Sequence, residues 1–294
     1  MTRLRLARRL AMAAISLCAA SLSFAQAPSR QACVGVAGLN SNQLLCGVDS
    51  NTPTTLAGTQ IGAAGVPINS GSGAALAQFS TLKASTSATN ILHGSGAGAS
   101  AISLVRDSLA ISSPGREGQQ GYVDFRIDYS WRFSNVPFGS DDQSNTADVT
   151  LEFGAGAAYA RQYQMGAVST QVPIGVIGDN VTALSALLNN SFTVRMPFVF
   201  GVEYNLRQAL AISSQAQNGN TAWINAFNSA YWGGMVVRDE SLNLVSFSAE
   251  SGSGTDYTRS YAPVPEPGTW LLAVTGILAL GTLRRVRQGR TSAA

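Results

Sequence analysis

The sequence predicts an all-β protein, an antiparallel β-sandwich of jelly-roll type, carried between a cleaved N-terminal signal peptide and a C-terminal hydrophobic helix. Three observations predict it. Long runs of the chain alternate apolar and polar residues at period 2, the pattern of strands with one dry and one wet face. Sustained helical periodicity is confined to the two terminal segments, apart from a candidate short helix at Val181–Leu188. Glycine and acidic residues punctuate the alternating runs, as turns between strands require.

The first element is the leader. Arg3, Arg5, Arg8 and Arg9 form a basic start, Leu10 to Leu22 an apolar stretch, and Ser23-Phe24-Ala25 supplies small residues at the −3 and −1 positions. Cleavage by signal peptidase is expected after Ala25, because cutting after Ala27 would leave Pro28 at the new terminus. Cys18 follows Leu17, which rules it out as a lipidation cysteine.

Residues 26–75 are rich in Gly, Ala, Ser and Asn with few large apolar groups. They read either as a flexible arm or as short edge strands laid on the sandwich. Cys33 and Cys46 stand here, an even pair once Cys18 is removed. In an oxidising compartment they predict one disulfide. A metal or redox pair would need closer spacing and histidine or carboxylate company. The Gly-rich patch His93–Ala99 reads as a loop.

The main body is expected over residues 76–262. Its most legible strand is Val123 to Phe133, with Val123, Phe125, Ile127, Tyr129, Trp131 and Phe133 on the dry parity. Asp124, Arg126, Asp128, Ser130 and Arg132 take the other. Val149, Leu151 and Phe153 alternate in the same way with Asp148, Thr150 and Glu152. A long run places Phe192, Val194, Met196 and Phe198 on one parity and continues through Phe200, Val202, Tyr204 and Leu206. Pro197 and Gly201 interrupt it, which fits an edge position, a bulge or a bend between two sheets. Trp223–Tyr231, Met235–Arg238 and Leu242–Glu250 are further candidate strands.

The last element is the tail, 263–290. Val264-Pro265-Glu266-Pro267-Gly268 precedes an apolar run from Thr269 to Leu283, and Arg284, Arg285, Arg287 and Arg290 follow. A bilayer span takes roughly 20 apolar residues, so this run of 15 is a short transmembrane helix and a weak anchor. The arginines would hold its end on the cytoplasmic side and leave the body outside. These residues resemble the PEP-CTERM sorting signal of Gram-negative bacteria. The resemblance implies recognition by an exosortase, a membrane-embedded transpeptidase-like enzyme that would cut near Pro265–Pro267 and pass the protein to the surface. Such proteins commonly accompany exopolysaccharide and biofilm loci. More loosely, Arg106-Asp107-Ser108-Leu109 through Ser113-Pro114-Gly115, Ala226-Phe227-Asn228-Ser229-Ala230 and Ser251-Gly252-Ser253-Gly254-Thr255-Asp256-Tyr257 look like the sandwich that often precedes such tails.

Charge and composition narrow the function. The formal charge is +3, but eight arginines sit in the two targeting segments. Residues 26–262 hold eleven Lys+Arg against fifteen Asp+Glu, and the cations are scattered singly, which excludes nucleic acid. The single histidine, His93, has no Gly-x-Ser-x-Gly partner, and the run Gly94–Gly98 lacks the lysine of a phosphate cradle. Asp124 and Asp128 share a strand face as glycosidase carboxylates might, yet Arg126 and Arg132 interleave with them in the manner of a salt-bridged surface. Asp141, Asp142, Asn145 and Asp148, followed by Glu152, are hard oxygen ligands that form a weak calcium candidate, although the EF-hand glycine is replaced by Thr146. Trp223, Tyr231 and Trp232 are candidate sugar-stacking rings. No metal or cofactor is therefore assigned. The expectation is a non-enzymatic surface or extracellular-matrix protein, structural or adhesive and associated with exopolysaccharide. The alternative is a carbohydrate-binding module or weak glycan-active enzyme on the same fold.

Overall fold

The computed structural model describes residues 27–37, 43–61, 67–91, 96–130, 132–133, 146–155, 158–165, 170–177, 182–183, 191–217 and 219–262. Their regular elements are all strands, in two antiparallel sheets of eight packed as a sandwich. In chain order the strands begin with β1 (Ser29–Ala37), β2 (Gln43–Val48), β3 (Thr54–Ile61), β4 (Pro67–Gln78), β5 (Thr81–Asn90) and β6 (Gly96–Ser112). They are followed by β7 (Gln120–Tyr129), β8 (Arg132–Phe133), β9 (Thr146–Ala155), β10 (Ala158–Met165), β11 (Thr170–Ile177) and β12 (Thr182–Ala183). The last four are β13 (Ser191–Val199), β14 (Glu203–Gln217), β15 (Thr221–Asp239) and β16 (Ser248–Ser251).

One sheet runs β11-β10-β9-β14-β6-β1-β2 with β16 beside β6. The other runs β12-β13-β7-β15-β5-β4-β3 with β8 beside β15. From β13 onward each successive strand lies in the opposite sheet, so consecutive strands face one another across the core rather than pairing in hairpins.

The alternation found in sequence is the alternation of burial. Val123, Phe125, Ile127 and Tyr129 are buried, as are Val149, Leu151 and Phe153. The predicted strand to Phe133 ends instead at Tyr129 and resumes as β8, because β15 bulges between Ala226 and Ala230 where the two meet it. The long run around Gly201 is two strands in two sheets. Gly201 adopts a left-handed φ of 78°, and the chain crosses from β13 to β14 there. Of the two interrupters, Gly201 makes the bend; Pro197 stays within β13, opposite Tyr122 of β7. Beyond the bend Val202 is exposed, against its parity, and Leu206 is buried again.

Several expectations are corrected. Of residues 26–75, Ser29–Ala37, Gln43–Val48 and Thr54–Ile61 are strands; β2 and β3 are edge strands, one of the two readings, whereas β1 lies inside its sheet between β2 and β6. The strand β4 runs through residue 75 without a break. Gly96–Ala99, read as loop, opens β6, because its small residues pair with Val36 and Ala37 of β1 on one side and Ser214 to Gln217 of β14 on the other. Gly233-Gly234, which lies between the candidate strands Trp223–Tyr231 and Met235–Arg238, is a bulge that leaves them one continuous 19-residue strand, β15. Of Leu242–Glu250 only the residues from Ser248 on belong to a strand, β16; Leu242 itself has φ 65°, which a strand cannot accommodate. At the candidate helix, Thr182–Ala183 is strand paired with β13, and the rest of Val181–Leu188 lies outside the described residues.

The predicted disulfide is present. Cys33 and Cys46 face each other directly across β1 and β2, with Cα atoms 4.1 Å apart. The bridge ties the edge strand β2 to an interior strand.

The core has two parts of different character. Around Trp232 the rings of Phe125, Phe153 and Tyr257 meet with centroids 4.8 to 6.0 Å apart. Beneath the middle of β4 and β5 the inward residues are small. Gly71, Gly73 and Ala75 face Val34, Val36 and Gly98 of the other sheet, and Ala88, Ala97, Ala216 and Ala222 form a separate cluster. A Cβ at Gly73 would lie 2.7 Å from Val34 Cγ1, and one at Gly71 2.9 Å from the Gly98 carbonyl. The sheets come so close here that only glycine fits between them.

Candidate functional site

After β16 the chain runs as an irregular strap from Gly252 to Tyr261, and a buried carboxylate fastens it. Asp107 Oδ1 of β6 accepts from the backbone amides of Ser108 and Ser253, each at 2.9 Å. Oδ2 accepts from the Ser253 hydroxyl and from Tyr257 OH at 2.8 Å. A buried charge is tolerable only when its lone pairs are satisfied in this way. Burial and the neighbouring Asp107 charge push the Tyr257 phenol far above its ordinary pKa, so it stays a donor. Tyr257 is fully buried, packs edge-on against Trp232, and accepts Trp232 Nε1 on its carbonyl at 2.6 Å. The Tyr261 amide then donates to the Trp232 carbonyl at 2.8 Å. The folded body is therefore pinned to within four residues of Pro265.

This latch brings together Arg106–Leu109 and Ser251–Tyr257, two stretches noticed in the sequence without any role. The signal was Asp107, an acid on the buried parity of Val105 and Leu109; its strap partners Ser253 and Tyr257 lie about 150 residues away and could not be read locally.

The acidic candidates are already paired. Asp124 lies on the predicted wet face yet is buried, because Arg195 binds both its oxygens at 2.6 and 2.8 Å and Arg238 reaches Oδ2 at 3.0 Å. Burial alone would raise its pKa; the hydrogen bonds from Arg195 and Arg238 outweigh it and hold the carboxyl below the ordinary value. Asp128 bonds Arg126 at 2.8 Å. Glu152 is buried against Arg207 at 3.3 Å. Asp148 stands on β9 beside the Ser213 hydroxyl of β14. Asp141, Asp142 and Asn145 lie outside the described residues, as do His93, Trp131, the sorting residues Val264, Pro265, Glu266, Pro267 and Gly268, the helix 269–283, and Arg284, Arg285 and Arg287.

The three candidate rings separate cleanly. Trp232 is core, with no exposed surface. Tyr231 is half-buried on the opposite face of β15. Trp223 remains 38% exposed, on the outer face of its sheet. Cross-strand register aligns Trp223 with Ser87 of β5, Ser72 of β4 and Ala57 of β3. A row of Thr221, Thr89, Ser70 and Thr59 lies on one side, with the first two hydroxyls 3.1 Å apart. A row of Asn225, Ser85, Ala74 and Thr55 lies on the other. From strand spacing of about 4.8 Å and a rise of about 3.3 Å per residue, the twelve positions tile roughly 14 by 13 Å. None carries a charge.

Residues 263–287 match the family model of the PEP-CTERM protein-sorting motif. No curated protein and no solved structure matches the chain. The tail thus carries a sorting signal of exported proteins that are processed at the membrane by an exosortase.

Proposed function

We propose that the protein is a non-enzymatic component of the cell surface or extracellular matrix, structural or adhesive, working beside exopolysaccharide in a biofilm. Signal peptidase removes residues 1–25, the short tail helix holds an inner-membrane intermediate, and exosortase processing then delivers the sandwich to the outer surface. The observation that carries this reading is the sorting motif at 263–287. Two features support it. The carboxylates best spaced for hydrolysis, Asp124 and Asp128, are committed to arginines. The strap also ends in a hydrogen bond at Tyr261, so the recognition sequence follows a fixed body without a long linker.

The test is fractionation of the native host, comparing wild type with Glu266→Ala. A charge between two prolines gives an enzyme a rigid extended handle that membrane insertion does not need. The variant should stay membrane-bound and larger by the mass of its tail, while the wild type reaches the surface. Full-length wild type in the cytoplasm would overturn the export reading. Normal maturation of Glu266→Ala would reduce the tail to an anchor.

A further inference from the structure

We propose that the outer face of β3, β4, β5 and β15 is a binding plate for a neutral polysaccharide chain, with Trp223 as its stacking ring. The inference deepens the surface-protein reading by naming the face that meets the polymer. It depends on that reading only for where the polymer is met.

Four observations converge on this partner. Trp223 is held 38% exposed at the end of the middle row, whereas Trp232 on the same strand is fully buried. An exposed indole offers the flat apolar face on which the C–H face of a sugar ring stacks. Around it, eight of the twelve plate positions carry Ser or Thr and one carries Asn, groups that donate and accept hydrogen bonds as sugar hydroxyls do. The twelve positions carry no charge, and the cations that border them stand singly, Arg132 opposite Asn225 and Lys83 two residues from Ser85, too few to hold nucleic acid or an acidic polymer. A protein partner would be anchored by large side chains seated in pockets; a plane of small hydroxyls favours a long, repetitive, hydroxyl-rich chain.

The plate is supported from behind by the small-residue core. The inward neighbours of Ser72 and Ser70 are Gly71 and Gly73, which let the second sheet press close beneath them. Asn69 of β4 and Asn90 of β5 close the end of this layer, Asn90 Nδ2 donating to Asn69 Oδ1 at 2.6 Å and Asn69 Nδ2 to Gln60 at 2.8 Å. A surface braced in this way loses little entropy on binding, the condition under which weak repeated contacts add up.

The experiment uses the full chain in detergent, pelleted with insoluble neutral glucan and mannan, and with alginate gel as the acidic comparison. Wild type should be retained on at least one neutral polymer and not preferentially on alginate. Trp223→Ala should weaken retention about tenfold, as loss of one stacked ring implies. Ser72→Lys, an exposed change in the middle row, should weaken it as much, and both should melt with the wild type. Leu244→Ala, which trims an exposed apolar residue off the plate, should bind normally. The proposal is overturned if wild type ignores every neutral polymer, if both plate variants bind like wild type, or if retention is strongest on alginate and vanishes with added salt. Failure here leaves the sorting of the tail untouched, because the host fractionation reads that separately.

Discussion

One half of the sandwich is filled by rings and the other by almost nothing. Phe125, Phe153, Trp232 and Tyr257 occupy the first, in mutual ring contact. Gly71, Gly73 and the Ala88, Ala97, Ala216 and Ala222 cluster occupy the second. Both are dry and both are made of paired strands. The difference lies in what holds the sheets together: large side chains bury area in the first, whereas backbone lies almost on backbone in the second. The halves also differ outside. The thick half carries ion pairs such as Asp124 with Arg195 and Arg238 and anchors the strap to the tail. The thin half carries the uncharged plate. The molecule divides into a half that fastens the strap and a half that carries a flat face.

The comparison breaks most sharply at Trp232. Trp232→Ala removes a fully buried ring, three aromatic contacts and the hydrogen bond to the Tyr257 carbonyl. It should cost about 3–5 kcal/mol in denaturant unfolding, and hydrogen exchange should rise in the strap before it rises in β3–β5. A loss spread evenly over both halves would deny the rings their special role.

A smaller effect is expected from adding rather than removing volume. Gly73→Ala puts a methyl 2.7 Å from Val34 Cγ1 and 3.2 Å from the Ser85 carbonyl. Neither neighbour can swing aside, since Val34 is branched and fully buried. The substitution should cost about 1–3 kcal/mol and reduce glycan retention by distorting the plate. An unchanged melting temperature would mean the close approach of the sheets is incidental.

The smallest effect is a pH dependence confined to the thick half. Asp124 has a folded pKa below its ordinary 3.8, because the bonds from Arg195 and Arg238 outweigh the opposing cost of burial. A depressed folded value means the contribution is complete above the unfolded value and is lost as pH falls through the folded one. Melting should therefore be flat near neutrality and decline in acid, below the ordinary carboxylate value. Asp124→Asn should flatten part of that decline. An identical acid profile for the two proteins would remove Asp124 from the account.

The aromatic half was legible because period 2 is a local property. Val123, Phe125, Ile127 and Tyr129 announce their face without reference to any partner. The glycine-rich half was not, because its residues carry no such contrast: Gly71, Gly73 and Ala75 become core only when Val34 and Val36 arrive from another strand. Their sequence fits a floppy arm equally well. Parity also failed at bulges. The extra residue at Gly233-Gly234 puts Trp232 and Met235 on the same inner face although their numbers differ by an odd count. Asp124 looked like a surface acid until Arg195 and Arg238 closed over it from β13 and β15.

By itself the sequence determined the sorting motif and the class of fold. A sorting motif is read as an extended linear segment, and alternation depends only on the geometry of a single strand, so neither needs a tertiary partner. The Cys33–Cys46 bridge was also within its reach, since with Cys18 assigned to the expected leader the other two cysteines leave one pairing. Only the tertiary structure decided which tryptophan is core and which faces outward, where the sheets touch closely enough to exclude a Cβ, and that Asp107 fastens the strap leading to the tail. Each of these depends on strands brought together from distant parts of the chain, and such meetings are set by packing that no local pattern encodes.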